Sequence, residues 1–259
     1  SAPKPPTPAA PTIGVERAKE LLFLSSVPAA AASCSGDRAA LITCLLGVHF
    51  AKDSKAAQLA KDIFSISGGV VGVEKSYTMN GGWRGMIKIV PERPEGRHRK
   101  HLEWLHAATS EMSAFFAALS KFGKTPRYRH QPIEYKFFRS VNRTTPSAYA
   151  NGWSIAYNVS GSLHRDAKEV RETLFHEIFH LNDKTHGDWS SSKLTGVYDG
   201  IISKCTAANR KLSTRCLSPY APNKTMVRGG TYYAFQPGNG VWEYAAELAV
   251  RYYLEQGKA

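Results

Sequence analysis

The chain has 259 residues, 42% of them hydrophobic, with 34 Lys or Arg against 21 Asp or Glu for a formal net charge of +13. That is ample for a packed core and suits one elaborated domain, or one domain with a small extension. No run of eighteen apolar residues exists, which excludes a transmembrane helix, and the excess of cations favours anionic partners such as cell-surface polymers, lipid headgroups or nucleic acid.

Residues 1–12 are rich in Pro and Ala with little to bury, so they read as a disordered leader. Residues 13–66 form a helical N-terminal segment: Val15 to Leu24, Asp37 to Phe50 and Asp53 to Phe64 are three helices separated by Ser and Gly breaks. Ser65 to Tyr77, with Val70, Val71 and Val73 among glycines, suggests a strand near a turn. Asn80-Gly81-Gly82 is a turn signal. Trp83 to Val90 alternates as a strand does and is stopped by Pro91. A charged loop leads to a long helix, His101 to Phe122, with Leu102, Leu105, Met112, Phe115, Phe116 and Leu119 as its apolar stripe and Gly123 as C-cap. Ile133 to Val141 is a further strand, Asn142 to Thr145 a turn, and Ala148 to Val159 a strand pair or one long extended segment. Asp166 to Leu181 reads as one helix, capped by Ser162 or Asp166 with Glu169 completing a capping box. Residues 184–240 are loop-rich, with a helix near Val197 to Ala207, and Val241 to Leu254 closes the chain as a strong helix. Strands followed by helices indicate the α+β class.

The four cysteines fall as two local pairs, Cys34 with Cys44 and Cys205 with Cys216. Their spacing lacks the C-x₂-C of a zinc site, so two disulfides are favoured, each worth roughly 3 kcal/mol in the chain-entropy model. Disulfides imply a secreted or periplasmic protein. Two basic runs, Arg97-His98-Arg99-Lys100-His101 and Arg127-Tyr128-Arg129-His130, have no nucleic-acid-binding motif beside them and read as solvated loops, so no specific nucleic acid is expected.

The most specific signal is His176-Glu177-Ile178-Phe179-His180, which spells H-E-x-x-H. Histidines four apart on a helix share a face, so both imidazoles can reach one Zn²⁺, and Val170, Leu174, Ile178 and Leu181 can bury another face. Glu177 is placed to act as general base on a zinc-activated water, which makes a zinc-dependent endopeptidase acting on a protein or peptide the expected function. A catalytic zinc needs a third protein ligand and an open fourth position. Two candidates compete.

With His186 as third ligand the spacing resembles the metzincins, although Asp183 stands where that family has Gly; Met226 lies in the region of that family's Met-turn. With Glu243, the arrangement resembles the gluzincins and, more closely, the lethal-factor-type metallopeptidases that include the Pro-Pro endopeptidases. That resemblance rests on His176 to Asp183 as H-E-x-x-H-x-x-D and on Glu243-Tyr-Ala-Ala-Glu247 as E-x-x-x-E, and it spans about residues 68–255. It implies a zincin-type domain over 67–259 with a small mixed sheet. It further implies His176, His180 and Glu243 as zinc ligands, Glu247 and Asp183 as residues orienting them, and a tyrosine near the ligand Glu that stabilises the oxyanion, here Tyr233 in preference to Tyr232. An edge strand at Trp83 to Val90 would let an extended substrate add to the sheet. Asp183 favours Glu243 over His186. The other readings are a metzincin-like peptidase, a hydrolase of cell-wall amides, and a basic secreted binding protein with a structural zinc.

Overall fold

A computed structural model describes residues 12–121, 132–207, 211–227 and 229–256. The expected Gly123 cap and the Arg127 to His130 run lie outside the described residues. The chain divides into two compact units, Ser1–Leu174 and Phe175–Ala259.

The first unit combines helices with a six-stranded mixed sheet, an arrangement consistent with the α+β class. Three helices come first: α1 (Val15–Phe23), α2 (Arg38–His49) and α3 (Ser54–Ser67). Two aspartates start the later pair. Asp37 accepts from the Ala40 amide at 2.8 Å and Asp53 from the Ala56 amide at 3.1 Å, satisfying donors that a helix N-terminus leaves open. Gly68 ends α3 in the left-handed conformation, φ 69°. Asp53 also binds Arg99 at 3.0 Å, which ties α3 to the start of α4 (Arg99–Ser120). One of the two basic runs therefore lies at a helix start, and His101 within it is buried.

The strands are β1 (Val70–Val73), β2 (Tyr77–Asn80), β3 (Met86–Pro91), β4 (Glu134–Ser140), β5 (Ala148–Asn151) and β6 (Ser154–Asn158). Central β4 carries β6 in parallel along one edge; its other edge is shared by parallel β1 along Glu134 to Phe137 and antiparallel β3 along Phe138 to Ser140. The sheet runs β2-β3-β4-β6-β5. Gly72 of β1 lies so close under α1 that a Cβ there would fall on the Leu21 carbonyl, so the helix can cross only a residue without a side chain. On one face Phe138 packs with Ile87, Ile89 and Ala156; Tyr135, Phe137 and Tyr157 are also fully buried.

Two expectations for this region are corrected. Trp83 and Arg84 lie in a 3₁₀ turn, not a strand, because Gly85 turns the chain at φ 74° and the Gly81 amide binds the Gly85 carbonyl at 2.8 Å. The strand starts at Met86 and takes Pro91 as its last residue, where a missing amide costs the ladder least. It is also not an edge: β3 lies between β2 and β4.

Helix α5 (Ala167–Thr185) carries the chain from the first unit into the second. Asp166, not Ser162, caps it by accepting from the Glu169 amide at 2.8 Å. Glu169 turns back to the Arg165 backbone amide at 3.1 Å and to its guanidinium. The expected apolar residues Val170, Leu174, Ile178 and Leu181 are all buried.

The second unit adds α6 (Trp189–Cys205), α7 (Thr214–Leu217), a short β7–β8 hairpin (Met226–Val227 and Thr231–Tyr232), a 3₁₀ turn at Tyr233–Phe235, and α8 (Val241–Gln256). Helix α6 begins eight residues before the expected Val197, for a reason given by Asp183 below. Tyr198, Ile201, Leu217, Phe235, Val241 and Tyr244 form the core of this unit. Both cysteine pairs are disulfides, Cys34–Cys44 and Cys205–Cys216; the second clamps the end of α6 to α7. No helix among the described residues is long and apolar enough to cross a membrane.

Candidate metal centre

The site lies within the second unit and is built from two helices and one turn. His176, Glu177 and His180 sit on the last three turns of α5; Glu243 and Glu247 sit one turn apart on α8; Tyr233 stands in the 3₁₀ turn before α8. In each helix the four-residue spacing puts both groups on one face.

His176, His180 and Glu243 present one ligand atom each, all within 4.8 Å of one another. His176 Nε2 lies 3.0 Å from His180 Nε2 and 3.0 Å from Glu243 Oε2, and His180 Nε2 lies 3.5 Å from Glu243 Oε1. Tetrahedral zinc with ligands at about 2.0–2.1 Å needs ligand atoms about 3.3 Å apart; the imidazole pair and the nearest approach of each imidazole to a Glu243 oxygen, Oε2 for His176 and Oε1 for His180, lie near that value. The donor set fits too. Two imidazoles with a carboxylate suit a borderline cation such as zinc, and three ligands are the number a catalytic zinc takes from protein.

Electrostatics point the same way. Burial pulls the His176 imidazole toward neutrality, but Glu243 and Glu247 on its two nitrogens outweigh this and hold its pKa up to about 10. Burial alone would raise the Glu243 pKa; hydrogen bonding and attraction from His176 and His180 bring it well below the carboxylate range. The carboxylates thus favour positive charge at this point, here the proton on His176.

The remaining groups surround this core. Tyr233 Oη donates to Glu243 Oε2 at 2.9 Å, and its ring meets that of His176 edge-on with centroids 5.9 Å apart. Burial first, then the charges of Glu243, Glu177 and Glu247, raise the phenol well above its ordinary pKa, so it remains a donor at neutral pH. Its backbone amide is fixed to the Thr225 carbonyl at 2.9 Å. Glu177, part-buried, is close enough for its charge to act on both His176 and Tyr233. Glu247 Oε1 lies 3.3 Å from His176 Nδ1, the place of a carboxylate that orients a ligand histidine.

Other residues singled out by the sequence lie elsewhere. His186 is not in the three-ligand group; its Nδ1 faces the Asn182 carbonyl at 2.7 Å. Met226 is half-exposed on β7, paired with Tyr232. Tyr232 is a buried strand aromatic with the Lys224 ammonium 5.3 Å from its ring centroid. The expectation for Asp183 is corrected. Its carboxylate accepts from the Ser190 amide at 2.8 Å and from the Ser190 hydroxyl at 2.5 Å, so both of its oxygens serve the first turn of α6. One residue was not foreseen: Asn223, whose Nδ2 donates to Glu247 Oε2 at 2.9 Å. It belongs to no motif, and nothing in its neighbours in sequence marks it. Comparison with protein-family models, with curated proteins and with solved structures finds no match to this chain, so a reading of the site rests on its own geometry.

Proposed function

We propose that the chain is a zinc-dependent endopeptidase of the zincin type, with His176, His180 and Glu243 as metal ligands. The observation that carries the reading is the convergence of two imidazole nitrogens and a carboxylate at 3.0–3.5 Å, with a second carboxylate and a phenol beside them. A zinc ion bound there supplies Lewis acidity at a substrate carbonyl and brings the pKa of a water near neutrality.

The chain's own groups do the rest. Glu177, next to the first ligand histidine, takes the proton of the attacking water and passes it to the leaving amine. Tyr233 offers its hydroxyl to the oxyanion of the tetrahedral intermediate. Glu247 holds the distal nitrogen of His176, which keeps the other nitrogen aimed at the metal. The paired H-E-x-x-H and E-x-x-x-E spacings on α5 and α8 support the lethal-factor-type likeness; Asp183, which binds Ser190, and Tyr233, ten residues before Glu243 and so farther than that family's spacing, depart from it. The two disulfides support a secreted or periplasmic location, and the net charge of +13 supports attraction to an anionic cell-surface polymer.

The test is elemental analysis of the wild type and of Glu243→Ala, His186→Ala and Glu177→Gln, with cleavage of a quenched-fluorescent peptide library. One zinc per chain is expected in wild type, lost in Glu243→Ala and kept in the other two. Glu177→Gln should lower turnover by about 10²–10⁴. A wild type that takes up no zinc on incubation sinks the proposal.

A further inference from the structure

We infer that Asn223 is a positioning residue of the metal centre, acting through Glu247 on the ligand His176. The inference rests on the metal-centre reading above. Glu247 is a carboxylate with a side chain only 12% exposed, and a charge so placed must have each oxygen met by a donor. Both are met, by different elements. Oε1 faces His176 Nδ1 at 3.3 Å, and Oε2 accepts from Asn223 Nδ2 at 2.9 Å. The same Nδ2 lies 3.2 Å from the Glu247 backbone carbonyl, so its two hydrogens serve one residue. An amide fixed to both ends of Glu247 removes the freedom of the carboxylate to swing off the imidazole. With the carboxylate in place, a metal bound at the centre would leave the proton of His176 on Nδ1 and take Nε2 as its ligand atom.

Asn223 can do this because it is itself held. Pro222 before it is buried. Lys224 after it closes the local loop by donating to the Ser218 carbonyl at 2.6 Å and the Ser218 hydroxyl at 3.1 Å. Leu217 and Ala221, just upstream, are core residues of the same unit, and the Cys205–Cys216 disulfide fastens that segment to α6. The segment that expectation left as loop therefore reaches the metal centre through one amide.

The experiment is a zinc-affinity cycle by competition with a chromophoric chelator, in wild type, Asn223→Ala, Glu247→Ala and the double variant. Asn223→Asp serves as an isosteric second probe. Melting temperatures of the chelator-treated proteins separate folding from metal binding. Glu247→Ala should weaken zinc by about 10–100-fold, as loss of a partner behind a ligand histidine does. Asn223→Ala should weaken it by about tenfold in the wild-type background and not at all once Glu247 is gone. Asn223→Asp, which sets carboxylate against carboxylate, should weaken it more than Ala. Equal losses from Asn223→Ala with and without Glu247, or no loss from either Asn223 variant, would overturn the inference while leaving the metal centre standing. A wild type without zinc affinity would overturn both.

Discussion

Replacing Tyr233 by Phe deletes one oxygen and nothing else, which makes it the most discriminating change at this site. The ring keeps its edge-on contact with His176, and the backbone keeps its bond to the Thr225 carbonyl. What goes is the donor now 2.9 Å from Glu243 Oε2. Two roles predict different outcomes. If the phenol serves the transition state, its loss removes one oxyanion donor, worth about 10²–10³ in kcat or about 2.7–4 kcal/mol. If it only steadies the ligand carboxylate, the loss is that of one hydrogen bond to a charged group, about 1.5–3 kcal/mol, and it is felt in zinc affinity. The assay is steady-state hydrolysis of a peptide substrate at saturating zinc, with zinc affinity measured in parallel. We expect kcat and kcat/KM to fall together by about 10²–10³, the sign of an interaction made only in the transition state. Zinc should remain at one per chain. A kcat within about threefold of wild type, joined to weaker zinc binding, would refute the catalytic role and leave Tyr233 as a partner of Glu243 alone.

Three further outcomes follow from the geometry. Asp183→Ala strips both acceptors from Ser190, which is fully buried at the first turn of α6; urea unfolding should show a loss of about 1–3 kcal/mol, with zinc affinity unchanged, and a tenfold weaker zinc would return Asp183 to a role on the ligand histidines. Replacing Cys205 and Cys216 together by Ala opens a loop spanning a separation of 11 residues and should cost about 3 kcal/mol by the same measurement; a change under about 0.5 kcal/mol would mean that core packing alone holds the segment. His49 is buried between Phe23 and Phe50, and burial, helped by the charge of Arg93, takes its pKa from 6.5 down to about 3. The unfolded chain therefore binds this proton and the folded one does not, so stability is lost as pH falls below 6.5 and the loss ends near pH 3. Between pH 7 and pH 5 this group alone accounts for about 2 kcal/mol; His49→Phe should lose that much less stability over the same interval, and an unchanged pH dependence would show that His49 does not carry it.

What could be read from the sequence and what could not divides along a physical line. Helices α2 and α3 were legible because their signals are local: an aspartate three residues from the amide it caps, then an apolar stripe. The grouping at the candidate metal centre was legible for the same reason twice over, since the two histidines of α5 and the two glutamates of α8 each have a spacing that only a helix turns into a shared face. The misreadings concern groups whose partner depends on how the chain turns. Gly85 at φ 74° bends Trp83 and Arg84 out of the strand that their alternation suggested. Gly187 at φ 75° and Asp188 at φ 54° carry the chain from α5 into α6 and bring Ser190 back onto Asp183. Asp183 was thus read by its position in a motif when its contact is decided seven residues later. The start of α6 was missed with it, because Trp189-Ser-Ser-Ser-Lys193 has weak helix propensity and its first turn is stabilised by a carboxylate from the preceding helix. Asn223 lies at the far end of this scale. Its contact with Glu247 spans 24 residues and depends on a disulfide, a buried proline and a lysine-closed loop all being in place. The residues of the candidate metal centre are thus written in helical periodicity, while those that hold them in place follow from tertiary structure. Substitutions at Asn223 and Glu247 will therefore couple, whereas Asp183, which looks closer to the motif, will behave as a helix cap.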